Sequence, residues 1–136
     1  MPISPESSPM EDPSPPGQGL AIAAESLYLI NLLLLPGLAF LLLLGLYGRY
    51  CRTAPLLGRQ HLQQTLSASL WAGGLLVIVN LLIITLGGYD AASTWVIVIL
   101  YFTTAHATLV LLGILGLARA LAGQTFRYPL VGNLLS

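Results

Sequence analysis

Histidine is the side chain best suited to proton transfer and metal ligation near neutral pH, and this chain has two, His61 and His106. His106 falls near the middle of a long apolar run, where an ionisable residue normally faces a helix bundle or a cavity. Three roles compete for it. A neutral imidazole bonded to Asn80, a threonine or a backbone carbonyl would join helices. A haem ligand would need a second axial ligand, and no other apolar run has a histidine. A proton relay would need a carboxylate, and no run holds one. The joining role is the expected one. His61 opens a different pattern, Arg59-Gln60-His61-Leu62-Gln63-Gln64, in which His61 and Gln64 share a helix face. Cys51 is the only cysteine, so neither an intrachain disulfide nor a cysteine-based zinc site is expected. No nucleophile–base pair, metal cluster or phosphate loop emerges. The chain is therefore expected to be no enzyme, to carry no cofactor or metal, and to have no evident small-molecule substrate.

The remaining in-run polar residues suit packing better than chemistry. Asn31 and Asn80 lie at similar depth and are expected to hydrogen-bond between helices, at about 0.6 kcal/mol for such a contact. Thr85, Thr103, Thr104 and Thr108 are expected to bond back to their own helix carbonyls. Ser69 and Gly73 stand four apart, with Ala68 and Ala72 on the adjacent row. Gly116 and Ala120 repeat that spacing, with Gly113 a turn earlier. Small residues so spaced let helix backbones approach closely in lipid, which makes these the expected packing faces.

The elements that carry these residues follow from hydrophobicity. Of 136 residues, 56% are apolar and 7% charged, and the mean hydropathy is +0.84. A soluble domain carries about a quarter charged residues, so an all-α integral membrane domain is expected. Arginine is the only basic type besides histidine and forms no basic run, which gives nucleic-acid binding no support. Residues 1–18 hold six of the nine prolines with Glu6, Glu11 and Asp12, and read as a disordered acidic tail. The tail lacks the basic start of a signal peptide and is expected to stay on the protein. Crossing a bilayer takes about 20 apolar residues, which predicts three spans at about 26–47, 65–86 and 94–118 within a domain of residues 19–136. Pro36-Gly37 should kink the first span, and Glu25 is expected just before it, at the outer interface. A glycine-led turn at 87–93 predicts that the second and third spans form an antiparallel hairpin.

Charge sets the expected orientation. With three spans, Arg49, Arg52, Arg59, Arg119 and Arg127 share one side, and Glu6, Glu11, Asp12, Glu25 and Asp90 share the other. Basic residues near span ends favour the cytoplasm, which predicts the C-terminus inside and the N-terminus outside, in a bacterial inner membrane. Tyr28, Tyr89 and Trp95 near one boundary, and Tyr47, Tyr50, Phe126 and Tyr128 near the other, fit aromatic belts.

Two segments carry a resemblance. His61-Leu62-Gln63-Gln64-Thr65-Leu66 entering a helix, and Gly123-Gln124-Thr125-Phe126-Arg127-Tyr128-Pro129-Leu130-Val131-Gly132 after the last span, resemble a family of small bacterial membrane proteins of unknown function. That family is similar to the membrane core of the chloroplast inner-envelope import protein. The likeness covers residues 56–134. The apolar Pro55-Leu56-Leu57 departs from the more polar loop usual there. The resemblance implies a helical membrane domain without catalysis. It marks His61, Gln64, Gly123, Phe126, Pro129 and Gly132 as signature residues with a structural role. From the residues themselves, Gly123 fits a helix C-terminal cap.

The expected function is a non-catalytic accessory subunit or assembly factor of a larger inner-membrane complex. Its expected partners are the bilayer and larger membrane subunits or further copies of itself. The alternatives are a component of a membrane conduit or transporter, which the resemblance suggests, and a haem-binding subunit through His106.

Overall fold

The computed structural model describes residues 14–129, all of whose regular elements are helical. Helix α1 (Gln18–Leu33) and α2 (Leu38–Tyr50) precede α3 (Leu56–Gly73), which runs through a π-helical turn (Gly74–Ile78) into α4 (Val79–Gly87). Helix α5 (Ala92–Leu121) returns antiparallel. Two helices are long and apolar enough to cross a membrane, the continuous Leu56–Gly87 and Ala92–Leu121.

The predicted first span is not one helix. It breaks after Leu33, and the chain folds back on itself. Ala24 of α1 and Leu43 of α2 share one buried cluster with Leu62 and Leu66 of α3, whereas a straight helix would hold residues 24 and 43 about 28 Å apart. Pro36 offers no backbone N–H and disfavours helical backbone before it. Gly37 turns at φ 90°, a region that side chains with a Cβ rarely adopt. The Asn31 carboxamide oxygen accepts from the Gly37 N–H at 2.9 Å, so the residue expected to bridge to Asn80 closes this turn instead.

Folding back moves the start of α1 to the arginine end. Gln18 Nε2 donates to the carbonyls of Ala120 and Leu121 at the last turn of α5, and Gly17 lies against Gly58. The N-terminal side of the described chain and the end of α5 thus share one end of the molecule, not opposite ends. Glu25 moves with it and sits among residues of that end, away from Asp90. Residues 1–13, most of the expected tail, and Gly132 lie outside the described residues.

Close approach of α1 to α5 depends on small residues. Gly113, Gly116 and Ala120 are buried on one face of α5. A Cβ at Gly113 would strike Tyr28 and Leu29, and one at Gly116 would strike Glu25 and Tyr128. On α3 the packed row is Ala68 and Ala72, Ala68 lying against Tyr28 and Tyr128. Ser69 is buried with its hydroxyl donating to the Thr65 carbonyl. Gly73 is exposed, and a Cβ there would meet nothing within 4 Å.

The polar–apolar distribution is inverted relative to a water-soluble fold. Glu25, His61, Gln64, Thr65, Ser67 and Thr94 are buried, while Leu34, Leu56, Leu86, Ile99, Leu100 and Leu111 are exposed, Leu86 by 84%. Large contiguous apolar surfaces on a protein mark a contact with lipid or another protein.

Candidate functional site

The densest polar cluster lies where α1, the first turns of α3 and the segment after α5 meet. The segment is held by three side chains of α3. Gln60 Oε1 accepts from the Phe126 N–H at 3.2 Å while its Nε2 donates to the Phe126 carbonyl at 2.5 Å. Gln64 Oε1 accepts from the Tyr128 N–H at 3.2 Å, and His61 Nε2 meets the Gln124 carbonyl at 2.8 Å. The match is geometric. Residues four apart on a helix rise about 6 Å, and alternate residues of an extended chain advance about 6.6 Å. Two glutamines a turn apart therefore reach the backbone of residues 126 and 128.

Glu25 closes the cluster from α1. One carboxylate oxygen accepts from Gln64 Nε2 at 2.5 Å and lies 2.6 Å from His61 Nδ1. The other accepts from the Tyr128 hydroxyl. Glu25, His61 and Tyr128 are all 0% exposed. A carbonyl only accepts, so His61 Nε2 must carry its hydrogen. One further proton lies between Nδ1 and Glu25. Whichever atom holds it, the pair is neutral overall, which spares the cluster an unpaired buried charge. Burial first, and Glu25 second, raise the Tyr128 hydroxyl well above its ordinary value of 10.0, so it remains a hydrogen-bond donor.

The positions of Phe126 and Tyr128 begin at the end of α5. Gly123 adopts φ 68°, its N–H donates to the Ala120 carbonyl, and the Gln124 N–H donates to Arg119. This pair of bonds is a Schellman cap. It turns the chain sharply, so that Phe126 and Tyr128 run back along α3. Tyr128 packs at 5.5 Å on the Tyr28 ring, and Tyr28 donates to the Leu109 carbonyl at 3.2 Å. Pro129 follows as an exposed turn residue.

Other candidate residues stand apart from this cluster. His106 stacks on Phe102, with ring centroids 5.4 Å apart and planes at 9°, and its buried Nδ1 has no partner. Asn80 donates to the Leu76 carbonyl at 2.7 Å, leaving its buried oxygen without a donor. Neither bonds to the other, to Asn31 or to a second helix. Tyr101 does reach across, donating to the Leu75 carbonyl at 2.9 Å within the π turn, where helical hydrogen bonding is disturbed. His106 lines an open apolar cavity of about 500 Å³ with Pro36, Gly73 and Phe102. Thr85, Thr104 and Thr108 donate to carbonyls of their own helices. Among the described residues no group of three His, Cys, Asp or Glu side chains is placed to hold a metal.

Glu25 and Tyr128 are the members that sequence reasoning left out. The available signal was chemical: a lone acid beside an apolar run and a histidine–glutamine pair entering another are complementary. No family model, curated protein or solved structure matches the chain.

Proposed function

We propose that this chain is a non-catalytic accessory or assembly subunit of a larger complex in a bacterial inner membrane. The observation that carries the reading is the division of its polar and apolar groups. Its acid and base pair is sealed, mutually bonded and inaccessible to a substrate, while the long helices present broad apolar faces. Beyond the π turn, α5 is the only described helix beside α4, and Leu81, Leu82, Leu86, Val96, Ile97 and Leu100 are exposed there. Such a two-helix arm suits packing against helices of a larger subunit. The bonds from His61 and Gln64 to the backbone of Gln124 and Tyr128 support a structural role for both.

Topology belongs to the same reading. The helices Leu56–Gly87 and Ala92–Leu121 cross the bilayer, and α1–α2 enters from the arginine end and leaves by it. Arginines near crossing helices favour the cytoplasm, which puts both described ends inside and Asp90 outside. The test is gentle extraction of a tagged full-length chain from native membranes, followed by mass and stoichiometry measurement. The expected result is a fixed ratio with larger membrane subunits that survives salt washing. A monodisperse species holding this chain alone would overturn the accessory role. A reporter at residue 90 active in the cytoplasm would overturn the topology.

A further inference from the structure

The extended segment that Gln60, His61 and Gln64 hold has a second face. Phe126 and Tyr128 are packed inward, so the residue between them, Arg127, is exposed on the other side, as alternation along an extended chain requires. There it joins Arg52 and Arg59 in lining a cleft of about 540 Å³, together with Cys51, Gln60 and Gln63. The volume lies within the range of small-ligand sites. Among the described residues the only ion pair is His61–Glu25, and the arginine with a side-chain hydrogen bond is Arg119. Three guanidinium groups thus share one cleft without an acidic partner there. Helix α3 begins in the same cleft at Leu56, with no acidic residue in its first turn and no side-chain cap. Its N-terminal dipole adds to the positive field.

We propose that this cleft binds the phosphate of an anionic phospholipid headgroup, and that the sealed cluster positions Arg127 for it. Guanidinium groups are matched to phosphate by planar, paired N–H donors. Repulsion among three such groups is relieved by an anion seated between them. A lipid is favoured over a soluble phosphate because the cleft lies at the end of the two long apolar helices, beside the exposed Leu56. That step rests on the membrane reading above. The Arg127 backbone is held at the cleft, because the residues on both sides of it are bonded to α3.

The experiment uses the full chain in nanodiscs of phosphatidylcholine doped with phosphatidylglycerol, with native mass spectrometry counting retained lipid. Alkaline washing of membranes first establishes that the chain is embedded, so a failure of the membrane reading shows separately. Phosphatidylglycerol is expected to be retained over phosphatidylcholine. Arg59→Gln and Arg127→Gln should each weaken retention about fivefold, in line with one basic residue at an anionic surface. Arg49→Gln, at the same end but outside the cleft, should change it little. An equal loss with Arg49→Gln, or no loss with either cleft variant, overturns the site. Displacement of the lipid by inorganic phosphate at matched concentration would assign a soluble anion and overturn the lipid. The acids Glu6, Glu11 and Asp12 lie outside the described residues. If phosphatidylglycerol is retained only after all three are neutralised to Gln or Asn, the partner of the arginines is the chain's own tail, and the proposal fails.

Discussion

At the arginine end, α3 and the last turns of α5 are wrapped by α1, α2 and residues 124–128; at the Gly87–Ala92 end, among the described residues, α4 and α5 have only each other. The wrapped half buries Glu25, His61, Gln64 and Tyr128 and satisfies them jointly. Towards the bare half the bonding thins out: the buried oxygen of Asn80 in α4 is unpaired, and so is the buried Nδ1 of His106, level with the Pro36-Gly37 turn and the end of α3. The contrast shows where specificity resides. Lipid supplies no hydrophobic drive between helices, so fixed geometry must come from close backbone approach and shared hydrogen bonds. Both concentrate in the wrapped half. The bare half keeps its apolar surface exposed.

The strongest way to break this contrast is to put the same side chain inside the wrapped cluster and at its margin. Gly116→Leu drives carbon into Glu25 and Tyr128, whereas Gly73→Leu enters open space beside the apolar cavity. Overpacking of a well-packed interior typically costs about 1–3 kcal/mol, occasionally more, and here it also pushes apart the buried hydrogen bond from Tyr128 to Glu25. Gly116→Leu should abolish the folded state in mild detergent, while Gly73→Leu should melt within a few degrees of the parent. Thermal melting followed by circular dichroism decides this; similar losses in both would erase the distinction between the cluster and its margin.

Removing Glu25 should come next. Glu25→Leu strands His61 Nδ1, the Gln64 amide and the Tyr128 hydroxyl together, and breaking a buried pair from one side costs about 3–5 kcal/mol. Glu25→Gln keeps an acceptor and should lose clearly less. Steric-trapping or denaturant measurements on the two variants provide the ranking. Equal losses would mean that the charge matters and the hydrogen bonds do not.

How much of this was legible in the sequence depended on distance along the chain. The turn at Gly87, the small residues of α5 and the cap at Gly123 are local patterns, readable from spacing. So was the common end of the five arginines, because the antiparallel pair of long helices places 49–59 and 119–127 together. The fold-back at Pro36-Gly37 was not legible. A proline–glycine pair admits both a kink and a reversal, and the choice is made by contacts with α3. From the sequence, Glu25 belongs at the outer interface, because a lone carboxylate is costly in lipid. The alternative remedy, a buried partner, lies thirty-six residues away at His61, beyond any local pattern.

A smaller effect separates the hydroxyl from the rest of the cluster. Tyr128→Phe keeps the ring against Tyr28 but removes the donor to Glu25, at a cost of about 1–3 kcal/mol for a buried acceptor left short of its donor. The hydroxyl's folded value is raised above that of an unfolded tyrosine. The sign follows: its contribution is fully present below the ordinary tyrosine value and is lost as pH rises from there towards the folded value. The parent should therefore weaken more than Tyr128→Phe above about pH 10. Alkaline unfolding curves that run parallel for the two would show that Tyr128 contributes nothing to that limb.

The smallest effect is expected at His106, and its size sharpens the comparison because the same substitution at His61 should be large. His61 Nδ1 and Nε2 both have partners, Glu25 and the Gln124 carbonyl. His61→Leu therefore leaves a buried carboxylate and detaches the segment that carries Tyr128. At His106, Nδ1 has no partner to lose. Leucine there gives up the stack on Phe102, worth about 0.5–1.5 kcal/mol for an aromatic pair. It also removes a polar atom buried without a hydrogen bond, whose presence costs about 1–3 kcal/mol. The two terms nearly cancel, and the balance leans towards stability. His106→Leu should thus leave melting unchanged or slightly raised, while His61→Leu should lower it by several kcal/mol of equivalent stability. Measurement of both in identical detergent tests the pair. A large loss at His106 would mean that its nitrogen is occupied in the folded protein by a partner subunit or a bound molecule, and the cavity it lines would then hold a site of its own.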